Sequence, residues 1–262
     1  MKQRIDISSD STIAELIEQM QAQKWAVFIS GGAPRDWVLG NYAHDLDLSV
    51  NVSFATLHNF CLSFFKKELL LTDPDFGLVT VLGSEYKLDI NTLRDEHFAL
   101  PTPPEHHSSC DNHEEEADFR ATDIERLRAD TLSRDFSVNA LYYCCQSGLI
   151  FDPCQLGISD LNNHKLSLVM CRKRLAVDNV ICIRILQFMA RGFEPNEEVH
   201  SILVERLETA VTQREEFEAW LKIYISTSKE YYERFKSLAY QYASNARVKT
   251  LLQLYFTKME AL

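Results

Sequence analysis

Gly31-Gly-Ala-Pro-Arg-Asp-Trp-Val-Leu-Gly40, followed by Asp45-Leu-Asp-Leu-Ser-Val50, organises everything around it. The apolar run Trp25-Ala-Val-Phe-Ile29 reads as a buried strand that stops at the Gly31-Gly32 turn. Pro34 suits the first turn of a helix, where its missing N–H is not needed, and Gly40 suits the end. Asp45 to Val50 alternates polar and apolar, the pattern of a strand with one wet face, so Asp45 and Asp47 share that face. Two neighbouring carboxylates raise each other's pKa unless a cation lies between them. An all-oxygen site of this kind suits Mg²⁺ (or Mn²⁺) carrying substrate phosphates. The glycine turn leaves backbone N–H groups at a helix start, where an anion is favoured. A phosphate cradle facing a metal pair points to nucleotidyl transfer by a two-metal mechanism. Asp-x-Asp alone is ordinarily solvated surface and Gly-Gly alone is ordinarily a turn. Their separation, which fits strand, turn, helix and strand, gives the pair its weight.

Working outward, Thr12 to Lys24 has helical spacing of apolar residues, as do Phe54, Leu57, Cys61, Phe64 and Phe65. Leu78–Leu82 and Tyr86–Ile90 read as two strands joined at Gly83-Ser84. Asp89 alternates within Lys87-Leu-Asp-Ile-Asn91, and a neighbouring strand would bring it beside Asp45 and Asp47. There it would help hold a metal or take the proton from an attacking hydroxyl, the alternative being a plain solvent-facing position. Asp95–Asp118 holds eight acidic residues, three prolines and no Lys or Arg, which predicts a long mobile loop. Its His97, His106, His107 and His113 are spaced irregularly, and a loop ordering over a nucleotide suits them better than a metal site. His44 reads as a turn residue. Helices are predicted at about 124–130, 136–143, 172–191 and repeatedly from 195 onward. The expected fold is therefore α+β, a small mixed sheet with helices followed by an all-helical part.

The chain has 262 residues and a net charge of −11, with 46% apolar and 25% charged residues. That composition excludes a disordered chain, a collagen and a coiled-coil rod. The acidic balance argues against a surface that grips nucleic acid all over, though a local basic groove is compatible with it. Seven cysteines without a Cys-x-x-Cys pair read as reduced, mostly buried thiols. The richest apolar run, Val180–Ala190, is interrupted by Arg184 and Gln187, and no stretch reaches the roughly 18–20 apolar residues of a membrane span. The first residues lack the apolar run of a signal peptide, so a soluble, cytoplasmic protein without membrane partners is expected.

The motifs together resemble the class II tRNA nucleotidyltransferases (CCA-adding enzymes) and bacterial poly(A) polymerases. Gly31–Gly40 with Asp45-Leu-Asp-Leu48 resembles the first motif of that family, with Arg35 and Asp36 as its Arg-Asp pair. Phe76-Gly-Leu-Val-Thr-Val81 and Leu88-Asp-Ile-Asn-Thr-Leu-Arg94 resemble its next strands, placing Asp89 as the third carboxylate. Ser133-Arg-Asp-Phe-Ser-Val-Asn-Ala-Leu141 resembles the second motif, usually Arg-Arg-Asp-Phe-Thr-Ile-Asn-Ala-Leu. Asp152-Pro153 through Gly157 to Asp160-Leu161 resembles the third, and Val177-Asp178 to Arg191-Gly-Phe193 the fourth. The resemblance covers about residues 25–194. It implies a polymerase-β-like nucleotidyltransferase head over 1–147, including the 95–118 loop, a helical neck over 148–194 and a short helical body over 195–262. It implies Asp45 and Asp47 as metal ligands and Asp89 as the assisting carboxylate. Nucleotide contacts are implied for Gly31, Gly32, Arg35, Asp36, Arg134, Asp135, Asn139, Asp178 and Arg184. On a helix Asp135 and Asn139 would share a face.

The departures are specific. Ser133 stands where the family has an Arg. The fourth motif of the family reads acidic-Asp-x-x-Arg, whose Asp and Arg hydrogen-bond the base. Here Val177 and Ile181 replace the flanking residues. On one continuous helix Arg184 would lie about 120° round from Asp178, whereas Arg174 would reach the same face. Only 68 residues follow Glu194, with nine Lys/Arg and ten Asp/Glu, which is not a basic RNA cradle. Their tyrosines, including Tyr232, Tyr240, Tyr242 and Tyr255, suit helix packing better than base stacking. The expected function is addition of NMP from an NTP, ATP foremost, to a weakly held RNA 3′ end. The alternatives are transfer to a protein or small-molecule acceptor, or a catalytically degenerate nucleotide-binding protein. Oligomeric state is not legible.

Overall fold

β1 (Val27–Ser30) runs fully buried into the Gly31 turn, and α2 (Gly32–Val38) leaves it. A computed structural model of the chain describes residues 11–43, 45–66, 68–83, 86–94, 119–178, 181–225 and 229–260. They fall into two units, the first running to Leu161 and taking in Val169–Cys171. Besides β1 and α2 it contains α1 (Ser11–Ala22), β2 (Asp47–Val50), α3 (Phe54–Phe64), β3 (Leu69–Asp73), β4 (Leu78–Leu82) and β5 (Lys87–Thr92). Then come α4 (Phe119–Thr131), a 3₁₀ turn (Ser137–Asn139), β6 (Tyr142–Cys144), β7 (Leu149–Phe151) and α5 (Gly157–Asn162). The strands form one mixed sheet in the order β3-β4-β5-β2-β1-β6-β7. Within this sheet, among the described residues, only β2 and β5 pair in parallel.

The period-2 pattern divides the sheet. Val27, Ile29, Leu48, Val50, Val79, Val81, Leu88 and Ile90 form a buried core with Leu16, Met20, Leu57 and Cys61 of α1 and α3. Burial pushes the Cys61 thiol up to about 12, so it stays protonated there. The intervening residues, Ser30, Asp47, Ser49, Thr80 and Asp89, therefore share the opposite face.

Several expectations are corrected. The segment 136–143 is not a helix: a 3₁₀ turn leads into β6, whose Tyr143 pairs with Ile29 of β1. An apolar run this short does not distinguish a helix from a buried strand, and the vacant flank of β1 decides it. Because β7 pairs with β6, the head's sheet extends past the expected boundary at 147. The predicted helix over 172–191 is broken at Asp178. The 95–118 loop with its histidines, and His44, lie outside the described residues.

The second unit comprises Asn162–Leu168 and Arg172–Leu262. Its helices are α6 (Arg172–Val177), α7 (Ile181–Ala190), α8 (Glu197–Thr212), α9 (Arg214–Ile225), α10 (Lys229–Tyr242) and α11 (Ala246–Glu260). It also holds a two-residue parallel pair, β8 (Lys165–Leu166) with β9 (Glu194–Pro195). Asn196 caps α8 by accepting from Val199 N at 2.9 Å. Tyr255 and Tyr232 pack as predicted, whereas Tyr231 is exposed: Tyr255 is buried and donates to Val211 O at 3.0 Å, and the Tyr232 ring meets Phe256 edge-on. Among the described residues, no helix is long and apolar enough to cross a membrane.

Candidate active site

Asp47 opens β2 opposite Ser30 of β1 and directly beside Asp89 of the parallel strand β5. Asp45 lies two residues earlier, exposed and just outside the strand, rather than within it as the alternation suggested. Gly31 has φ +74°, and a Cβ there would stand 2.9 Å from Asp47 Oδ2. Glycine is thus required twice over, for the left-handed turn and for the close approach of the carboxylate. Burial raises the Asp47 pKa above its ordinary value; Arg134 opposes this, and the Asp89 and Asp45 charges add to it. Asp89 is already engaged at both oxygens: Thr80 Oγ1 donates to Oδ1 at 2.5 Å and Lys87 Nζ to Oδ2 at 2.8 Å.

A partly buried carboxylate with like-charged neighbours, packed against the bare Cα of Gly31, is an all-oxygen donor set that fits a hard divalent cation. Among the described residues, no three His, Cys, Asp or Glu side chains are disposed to hold a metal by themselves. The arrangement matches one or two carboxylates completed by substrate phosphates, which is how Mg²⁺ is usually bound.

The second motif meets the first through Arg35. Its Nη1 donates to Asn139 Oδ1 at 2.7 Å, and Asn139 Nδ2 donates to Asp135 Oδ1 at 2.9 Å. Arg35 also binds Asp36 at 2.9 Å and lies over Gly32, where a Cβ would stand 3.2 Å from its guanidinium. Asp135 and Asn139 therefore come together as predicted, but across a 3₁₀ turn rather than an α-helical face.

One residue was missed. Asp130, buried at the end of α4, accepts from Arg134 Nε and Nη2 at 3.1 and 3.0 Å, from Tyr142 Oη at 2.6 Å and from Arg94 N at 3.1 Å. Burial alone would raise its pKa, but these partners, Arg134 foremost, outweigh that and hold it below the usual carboxylate range. Arg134 reaches on to Ser30 Oγ at 3.2 Å and covers the Tyr142 ring. Its i, i+4 spacing from Asp130 was the available signal. Ser133 is buried and donates to the Asp130 carbonyl, closing the end of α4. The third motif is a clamp: Asp152 accepts from the N–H groups of Gly157 and Ile158, and Asp160 accepts from Ser137 Oγ at 2.5 Å.

The poly(A) polymerase head-domain family matches residues 27–167, which spans every element of this site. The chain belongs to that family. Poly(A) polymerase I of Haemophilus influenzae is 28% identical over 67% of this chain and 37% of its own length. The CCA-adding enzyme of Latilactobacillus sakei is 26% identical over 73% of this chain and 45% of its own. The chain thus spans less than half the length of these relatives. A solved tRNA-processing enzyme in an apo form superposes with a TM-score of 0.66 at 18% identity, over 96% of this chain and 60% of that one. This extends the shared fold to the second unit.

Asp178 and Arg184, the nucleotide contacts implied by the resemblance beyond residue 167, both lie in the second unit. Asp178 sits between α6 and α7 and accepts from Ile181 N at 3.0 Å, so it acts as a cap for α7. The break separates Arg184, on α7, from Asp178, whereas Arg174 lies on α6, which ends just before Asp178. Ile181, at the position of the family's Arg, is fully buried.

Proposed function

We propose that this protein is a metal-dependent nucleotidyltransferase that adds NMP from an NTP to an RNA 3′ end. The observation that carries the reading is the parallel pairing of Asp47 with Asp89, under a Gly31 turn that leaves room for the Asp47 carboxylate. Asp45 and Asp47 would hold Mg²⁺ or Mn²⁺, which when bound supplies Lewis-acid stabilisation of the phosphoryl charge. Gly31 and Gly32 offer backbone N–H groups to the phosphates, and Arg35 offers a guanidinium fixed by Asp36 and Asn139. The RNA 3′-oxygen bonds to the α-phosphorus as the bond to the β-phosphate oxygen breaks, releasing pyrophosphate. Asp89 would accept the hydroxyl proton once one of its oxygens is freed from Thr80 or Lys87. Asp130 holds Arg134 against Ser30, next to the glycine turn.

ATP as the preferred nucleotide and a cytoplasmic location belong to the same reading. The −11 charge predicts weak RNA binding with a shallow salt slope, since the slope counts phosphates neutralised. The test is incorporation from each labelled NTP with Mg²⁺ or Mn²⁺ and total RNA. Label in RNA, lost in Asp47→Ala, supports the reading. Label in protein moves the acceptor, and no label with any NTP means the head binds nucleotide without transferring it.

A further inference from the structure

Among the described residues, Lys87 is a charged side chain beside the carboxylates that this reading leaves without a part. It precedes Asp89 by two residues on β5, so the alternation of the strand turns both side chains to one face. Its Nζ lies 2.8 Å from Asp89 Oδ2, while Thr80, opposite Asp89 on β4, occupies Oδ1. The hydrogen bond to Asp89 favours the charged form of the ammonium, slight burial opposes it, and the charges of Asp89, Asp47 and Asp45 add to it in that order. It is therefore a cation within the field of the same three carboxylates that would draw a metal. Lys87 is also 62% exposed on a flexible stem, so it can leave without disturbing the core. An exposed ion pair of this sort is worth little, which makes the contact easy to give up.

We propose that Lys87 is a resident cation of the carboxylate cluster. It neutralises Asp89 in the metal-free protein and is displaced when a divalent ion binds at Asp45 and Asp47, so that lysine and metal compete. The inference rests on the metal assignment of the preceding subsection. Displacement also frees an Asp89 oxygen, coupling metal entry to the availability of that carboxylate.

The competition is measured as Mn²⁺ binding to the full chain without nucleotide, following free Mn²⁺ by electron paramagnetic resonance. Lys87→Met should bind Mn²⁺ about two- to fivefold more tightly than wild type, the range set by an exposed ion pair. Lys87→Arg, which keeps the charge, should bind as wild type does. Unchanged or weaker binding by Lys87→Met overturns the role of Lys87. Asp47→Asn separates the two ideas. Wild-type Mn²⁺ binding in Asp47→Asn overturns the metal assignment itself. Lost binding there, with no gain in Lys87→Met, overturns only the competition.

Discussion

Asp130 and Arg134 are joined through a single carboxylate oxygen, Oδ2, which takes Nε at 3.1 Å and Nη2 at 3.0 Å while also accepting from Tyr142. Asp130 is buried and Arg134 largely so. Removing one partner of such a pair leaves a charge that water cannot reach. Asp130→Ala should therefore cost about 3–5 kcal/mol of stability at neutral pH in urea unfolding. Because the folded pKa of Asp130 is depressed, its contribution is fully present above the unfolded carboxylate value of about 3.9 and is lost as pH falls through the lower folded value. The gap between wild type and Asp130→Ala should narrow in that acid range. A gap independent of pH would show that the carboxylate charge is not what stabilises the site.

Asp47 has the opposite sign. Burial and its acidic neighbours raise its folded pKa, so the folded state loses stability as pH rises through that value. Asp47→Asn keeps the shape and removes the charge. It should unfold at a higher temperature than wild type at pH 7, and the advantage should vanish below the carboxylate range. It should also abolish transfer. Saturating Mn²⁺ should raise the wild-type midpoint and leave that of Asp47→Asn unchanged.

Gly31 and Gly40 separate backbone strain from site geometry. Both have positive φ, +74° and +76°, but a Cβ at Gly31 meets Asp47 Oδ2 whereas one at Gly40 meets nothing within 4 Å. Alanine at Gly40 should cost about 1–2 kcal/mol for its positive φ, and alanine at Gly31 at least as much, because φ +74° with ψ −128° suits glycine alone. Only Gly31→Ala should also lose most transfer activity, because it moves the Asp47 carboxylate. Comparable transfer by the two variants at equal stability would detach Gly31 from the site.

How legible these features were depends on the range of the interactions that fix them. Asp47 and Asp89 could be placed on one sheet face because strand alternation is written locally. Pairing in parallel, which sets them side by side, depended on sheet order. β3 was missed: Leu69-Leu-Leu-Thr-Asp73 has no alternation, and its pairing with β4 makes it a strand. Tyr142 and Tyr143 were read as helical because short apolar runs fit both periods. Asp130 escaped notice because Arg94 and Tyr142 come from distant segments, and a lone Asp near a helix end looks like surface. The third motif's carboxylates turned out to hold backbone and hydroxyl groups, which residue identity alone does not reveal.

On one continuous helix, Ile181→Arg would restore a base-reading guanidinium. Ile181 is instead fully buried at the start of α7, so that substitution places a charge in the second unit's core and should unfold it rather than sharpen selectivity. Asp178 is the better probe, because it has two separable roles. As the acceptor for Ile181 N it caps α7, and Asp178→Ala should cost about 1 kcal/mol of stability. Asn caps as well as Asp, so Asp178→Asn should keep that stability. At a base edge the exchange is not neutral: an ionised Asp only accepts, whereas Asn also donates. If Asp178 reads the base, Asp178→Asn should change the ratio of ATP and CTP to UTP incorporation by about tenfold or less, the effect of one hydrogen bond. The measurement is incorporation of all four NTPs by wild type, Asp178→Asn and Asp178→Ala, alongside their unfolding midpoints. An unchanged ratio in Asp178→Asn, with the stability loss confined to Asp178→Ala, would leave Asp178 a cap alone.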